Sequence, residues 1–262
     1  MRKVGLILGL LLALATLAQA DDFEHRIVDV RAKAIAGSVT AAGFGVGSLS
    51  GNPAGLAAQN RWEAFTTYSD LFGLGFAQQD FSLALPFLGG GLGFAYTTMG
   101  NSEDVLYEIA STQLSYGRGS GSLAWGVSLR RGALNSTGGA AHAFALDAGL
   151  RGTRGNFSWG IAGHNLYVRT DPVSKAQSVP REIKFGAALQ AGAFLLSGEL
   201  INGQELCFGI EQDLGAVKLR AGFKESSPTF GIGIQQRNWL VDYAYELGEL
   251  GNTQSLGLSR QF

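Results

Sequence analysis

The sequence has a single cysteine, Cys207, so no internal disulfide can form and no thiol stands where a lipid anchor would need one. Beyond residue 20 no apolar run reaches eighteen residues, which excludes a transmembrane helix. Charge is scarce as well. Only 16% of residues are charged and the net charge is -1, so the clustered basic face that binds nucleic acid is missing. The three histidines, His25, His142 and His164, are too scattered to offer metal-ligand spacing, and no cofactor is implied. The strand map gives them no Ser–His–acid arrangement either, which argues against an enzyme. The glycines at 43, 45 and 47 and those from 89 to 93 imitate phosphate loops, but neither run lies in a strand–loop–helix unit.

What the chain does have is 39 glycines, 16 phenylalanines and a start unlike the rest. Arg2 and Lys3 precede an apolar run at residues 4–17, and Ala18-Gln19-Ala20 has the small-x-small pattern of a cleavage site. Residues 1–20 are therefore expected to be a signal peptide, with Asp21 opening the exported protein.

From residue 61 onward, apolar residues alternate with small or polar ones. Leu123, Trp125, Val127 and Leu129 alternate with Ala124, Gly126, Ser128 and Arg130, giving a strand one greasy and one small or polar face. Strands are expected near 61–69, 74–85, 90–98, 108–117, 122–131, 143–152, 157–167, 181–190, 194–202, 205–214, 217–224, 229–236, 239–247 and 253–262. Alternation alone suits a soluble sandwich as well as a membrane barrel. The connections decide. Those at 119–121, 153–156, 192–193, 215–216 and 237–238 are tight and share one side, while 99–107, 132–142, 168–180 and 248–252, on the other side, are mostly longer and more polar. Short periplasmic turns and longer outer loops describe an outer-membrane barrel. The expected fold is thus an all-β, transmembrane antiparallel β-barrel of about 14 strands over residues 61–262, located in the cell outer membrane in contact with its lipid. Trp125, Trp159, Trp239, Tyr243 and Tyr245 fall on the lipid face. The last strand carries Leu256, Leu258 and a terminal Phe262, which resembles the signal read by barrel-assembly machinery, although Arg260 interrupts its apolar pattern.

Residues 21–60 do not alternate. Residues 27–37 suit a short helix or strand, and residues 41–51 are rich in Gly, Ala and Ser. A barrel of this width cannot be filled by its own small inward side chains, so residues 21–60 are expected inside it as a plug. Next come Asn52, Pro53, Ala54, Gly55 and Leu56, in which Asn52 can cap and Pro53 can begin a short helix to about residue 59; a tight turn is the alternative. With GHNLYV at 163–168, VPREIKFGAAL from 179, VKLRAGF from 217, FGIGIQ from 230 and the closing LVDYAYELGELGNTQSLGLSRQF, this motif resembles the PorV/PorQ family and, more remotely, the FadL-like family. Both resemblances imply a plugged fourteen-stranded barrel.

Arg130, Asp147, Arg151, Glu182, Lys184, Glu199, Glu211, Lys218, Arg220, Lys224 and Asp242 share the face opposite the large apolar residues. A charge facing lipid costs about 2–4 kcal/mol near the midplane, so this face is expected to be the lumen. There the charges either pair with each other and the plug or line a polar path. The PorV/PorQ resemblance implies an accessory of a type IX-like secretion or surface-assembly system, with large secretion-system subunits as partners. The FadL-like resemblance implies a channel for small hydrophobic compounds, with a small hydrophobic ligand.

Overall fold

The computed structural model describes residues 29–101, 107–136, 139–171 and 179–262. The expected signal peptide at 1–20, His25 and residues 172–178 of the expected loop lie outside the described residues.

Fourteen antiparallel strands close a barrel, each paired with its sequence neighbours and β1 with β14. They are β1 (Glu63–Leu71), β2 (Phe76–Phe87), β3 (Gly90–Asn101), β4 (Tyr107–Ser120), β5 (Leu123–Ser136), β6 (Gly139–Arg154) and β7 (Phe157–Thr170). The series continues with β8 (Glu182–Ala191), β9 (Phe194–Ile201), β10 (Glu205–Asp213), β11 (Val217–Lys224), β12 (Ser227–Gln236), β13 (Trp239–Glu246) and β14 (Thr253–Gln261). Every expected strand is present. Closure pairs Glu63 with Gln261 and Asp70 with Gln254.

The outward face is apolar and open. On β5, Leu123, Trp125, Val127 and Leu129 are 51%, 45%, 40% and 54% exposed, and similar side chains continue around the wall. A belt this continuous suits lipid rather than water, and a closed single sheet leaves no second sheet for a sandwich. Trp125, Trp159, Trp239 and Tyr243 lie exposed in this belt.

One expected loop is wrong. Residues 132–136 and 139–142 continue the wall, with β5 and β6 paired as far as Ser136 opposite Gly139, and His142 sits on β6 rather than in a loop. The reason is a reversal of polarity. Lower on these strands the apolar residues face outward; higher up Leu134, Ala141 and Ala143 are buried inward while Arg131 and Asn135 are exposed outward. Where the outside is water and the inside is packed, alternation persists with its faces exchanged. The wall is consequently taller at β4 to β7, with strands of 14–16 residues, than at β8 to β14, with 8–10.

Residues 29–58 fold inside the barrel as helix α1 (Val30–Ala34), a 3-10 turn Gly45–Gly47, helix α2 (Ser48–Gly51) and a 3-10 helix Pro53–Ala58. Asp29 caps α1 by accepting from the Ala32 N–H. The core is therefore within the lumen, where Val30, Ala34, Val46, Leu49 and Leu56 pack on Phe65, Ala84, Ala95 and Ala244 of the wall.

Candidate functional site in the barrel lumen

The inner segment meets the wall in two different ways. On one side the contact is backbone against glycine. Gly91, Gly117, Gly126 and Gly149 are direct cross-strand neighbours on β3, β4, β5 and β6, forming one line of missing side chains on the inner face. The motif Asn52, Pro53, Ala54, Gly55 and Leu56 rests on this line. A Cβ at Gly117 would sit 2.5 Å from the Pro53 carbonyl oxygen, one at Gly126 would strike the Pro53–Ala54 peptide, and those at Gly91 and Gly149 would strike the Leu56 carbonyl and the Asn52 amide. Two further cross-strand pairs, Gly160 with Gly186 and Gly209 with Gly222, receive Thr40–Ala41 and Ile35–Ala36 in the same manner.

Asn52 fixes the register of this contact. Its Nδ2 donates to the carbonyls of Thr40 and Leu150, each at 2.9 Å, and its Oδ1 accepts from the Ala54 N–H at 3.0 Å. One buried amide thus joins two stretches of the inner segment to β6, and Pro53 at the first position of its 3-10 helix gives up no donor the turn needs.

The inward charges fall into three groups. On β5 to β7, Arg130 lies 3.7 Å from Asp147 and donates to Asn165 Oδ1, while Asp147 accepts from the Asn165 N–H at 2.7 Å. His164 stands 3.6 Å from Asp147 through Nδ1 and 2.9 Å from the Gly51 carbonyl through Nε2, so this group touches the inner segment. On β8 and β9, Lys184 pairs with Glu182 at 3.0 Å and Glu199 at 3.2 Å, and Glu199 accepts from the Thr40 N–H. On β10 to β13, Arg220 bridges Glu211 at 2.5 Å and Asp242 at 2.6 Å, and Glu211 also holds Arg31 at 2.9 Å. Arg151 donates to the Ala41 carbonyl, while Lys218 with Asp213 and Lys224 with Glu205 lie towards opposite ends. Arg31 and Lys33 went unassigned in the sequence, as did Asp80, which accepts from Thr67, Thr97 and Gln78. Among the described residues no group of three or more His, Cys, Asp or Glu side chains could hold a metal.

On the β9 to β14 side the inner segment leaves space. A cavity of about 330 Å³ at the end bearing the chain's C-terminus is lined by Arg31, Glu63, Glu211, Arg220 and Asp242, and one of about 390 Å³ at the opposite end by Lys33, Lys184, Lys224 and Glu246. Helix α1 stands between them, Arg31 facing one and Lys33 the other. Burial holds the Asp29 carboxyl above its usual range and pushes the Lys33 ammonium below its own. Lys33 donates to Ser69 at 3.0 Å and Ser255 at 3.1 Å, with Glu246 3.9 Å away.

The β7 seam is irregular. Leu146 pairs with Tyr167 but Ala148 with Gly163, so residues 164–166 bulge inward, with Asn165 at a φ of 54°. Pairing with β8 stops at His164 opposite Glu182, leaving the upper part of β7 without a β8 partner among the described residues. Val179 closes this region from inside against Ile109, Leu134, Ala141 and Ala143. At the C-terminus, Leu256 and Leu258 face outward, the Phe262 N–H donates to the Trp62 carbonyl, and Arg260 lies 4.8 Å from the Trp239 ring and 4.6 Å from the Phe262 ring. Its place among aromatic rings explains why a charge is tolerated in that pattern.

No family model and no curated relative matches the sequence. Among solved structures, the CymD monoaromatic hydrocarbon channel aligns with a TM-score of 0.64 at 12% identity, over 93% of this chain and 99% of that one. The Pseudomonas putida toluene transporter TodX aligns at 0.61 and 11%, over 92% and 99%, and the Acinetobacter baumannii outer membrane protein Omp33 at 0.53 and 8%, over 79% and 100%. The chain shares the closed-barrel fold of these outer-membrane proteins, and the apolar belt agrees with an outer-membrane location. None of these neighbours bears on the narrower PorV/PorQ resemblance.

Proposed function

We infer that the protein is a FadL-like channel admitting small hydrophobic compounds, by a route that leaves the lumen sideways. The observation that carries this reading is the pairing of a packed lumen with an apolar cleft beside the part of β7 that lacks a β8 partner among the described residues. Residues 29–58 lie across the barrel, so a solute cannot simply fall through. Above the Arg130–Asp147–His164 group, the inward face turns apolar with Ile109, Leu134, Ala141 and Ala143, and beside it β7 has no β8 partner among the described residues. The cleft there holds about 20 Å³, room for roughly one water, so a ring would enter only as Val179 withdraws. The full-length likeness to a hydrocarbon channel and a toluene transporter supports the same class of solute. The motif Asn52 to Leu56 serves as the anchor of the plug, the lumenal charges serve to pair and to seat it, and Leu256, Leu258 and Phe262 present the last strand to barrel-assembly machinery.

The experiment is uptake of a labelled monoaromatic hydrocarbon by cells making the chain or its Leu134→Arg variant, which places a charge in the cleft. Faster uptake than in cells without the protein, abolished by the variant, is expected. Uptake equal in all three strains contradicts the reading.

The rival reading, a PorV/PorQ-like accessory of surface secretion, rests on the sequence motifs and on a lumen too full for an open pore. Isolation from native membranes separates the two: large secretion subunits favour the accessory, a bound aromatic or acyl compound the channel.

A further inference from the structure

The outer surface of the tall wall carries an unexplained cluster of arginines. Arg131 on β5 and Arg169 on β7 both pair with Phe144 of β6, so the three stand in one row, and all three side chains are exposed on the outward face. Two strand spacings separate the guanidinium-bearing residues, about 10 Å at the backbone, which two arginine side chains can close onto one group. Neither has a hydrogen-bond or ion-pair partner among the described residues. Asp171, the acid that follows the end of β7, already has a partner, and Thr112 rather than an acid flanks Arg131 on β4. A third guanidinium, Arg181, is exposed beyond the other side of β7 and held there by a hydrogen bond to the Leu166 carbonyl in the bulge.

Height gives the row its meaning. Eight residues separate Leu123, at the short-turn end of the apolar column, from Arg131, a rise of about 20 Å at the usual strand tilt and rise per residue. The row therefore stands near the outer edge of an apolar band about 25 Å tall, while β5 continues to Ser136 above it. At the corresponding ends of β8 to β11 the outward residues are Ile183, Leu200, Leu206 and Phe223, with no charge. A chance ring of snorkelling arginines would not be confined to one flank, and two cations in one row without an acid leave a charge that an anion would offset.

We propose that Arg131, Phe144 and Arg169, with Arg181 beside them, form a docking site for a phosphorylated lipid of the outer leaflet. The phosphate is held between the planar guanidinium forks, which match its geometry, and the lipid's apolar part lies over Phe144 and Tyr167. The site lies outside the lumen and does not depend on what the channel carries. It does depend on the short-turn end facing the periplasm.

The test is native mass spectrometry of the folded protein in detergent with added diphosphorylated lipid A, alongside fully dephosphorylated lipid A and inorganic phosphate. The protein should retain one lipid A, Arg131→Gln/Arg169→Gln should bind it roughly tenfold or more weakly, and the periplasmic-end pair Arg118→Gln/Arg154→Gln should bind as the parent does. Heat-modifiable gel migration confirms that each variant is folded. Equal retention by the parent and Arg131→Gln/Arg169→Gln overturns the site, as does equal retention of dephosphorylated lipid A. Displacement by millimolar inorganic phosphate would mean a site for free anions, and an equal loss in the periplasmic-end pair would mean diffuse charge; either overturns the lipid assignment.

Discussion

The two flanks of the barrel hold the same inner segment with different balances of close packing and charge. Along β3 to β6 the contact is dry: four glycines in register let the Asn52–Leu56 backbone lie directly on the wall. Along β9 to β14 close contact is limited to α1 and the residues just after it, against Gly209, Gly222, Gly231 and Ala244, and beside it the contact is ionic and loose, with Arg31, Glu211, Arg220 and Asp242 bordering a cavity and α1 standing between two open spaces. Close packing has no spare volume and a shape that only one backbone path fits, whereas paired charges beside water can exchange partners. The glycine flank therefore fixes where the segment sits, and the ionic flank is where it can move.

The largest effect should come from filling the glycine line. Gly126→Val places branched carbon where the Pro53–Ala54 peptide lies, so the variant should either fail to reach the heat-modifiable folded form or fold with the segment displaced and conduct ions. Gly198→Ala, whose added carbon would meet nothing nearer than 3.7 Å, should behave as the parent. If Gly126→Val folds and stays closed, the dry flank is not what seats the segment.

Next in size is Arg220→Ala, which strands the buried Asp242 carboxylate and leaves Glu211 with Arg31 alone. Losing one member of a buried ion group costs about 3–5 kcal/mol, and the neighbouring cavity should hold this loss near the lower end by admitting water. Urea unfolding in detergent measures it. A cost under about 1 kcal/mol would place the whole group in effective contact with water.

Asn52→Ala removes three hydrogen bonds of the dry flank and should cost about 2–3 kcal/mol in the same assay. Because the glycine line remains, the segment should stay in place and the barrel stay closed. The smallest effect is expected of Arg260→Ala, about 0.5–1 kcal/mol, since its ring contacts lie at an exposed end.

The strands were legible because lipid selects an apolar side chain at every second position, a signal that survives one strand at a time. The upper parts of β5 and β6 were not, because Leu134 and Ala141 turn inward exactly where Arg131 and Asn135 turn out, and a reading that follows the greasy face outward stops there. Gly117, Gly126 and Gly149 each read only as small inward residues. They become a site through cross-strand register, which no single strand encodes. Alternation assigns the charges a face but not their partners: Arg31 meets Glu211 across 180 residues of sequence. His164 and Asp147 come together for the same reason, as neighbours across β6 and β7 beside a bulge that pattern alone does not reveal.

The central claim is that the inner segment closes the lumen, and planar-bilayer conductance of the parent beside a chain lacking residues 21–50 tests it most directly. The deletion removes α1, Arg31 and Lys33 while leaving the barrel and the glycine line intact. The account predicts a parent silent at the scale of a water-filled porin and a deletion variant that conducts steadily. A parent that already conducts like an open porin, unchanged by the deletion, would contradict it.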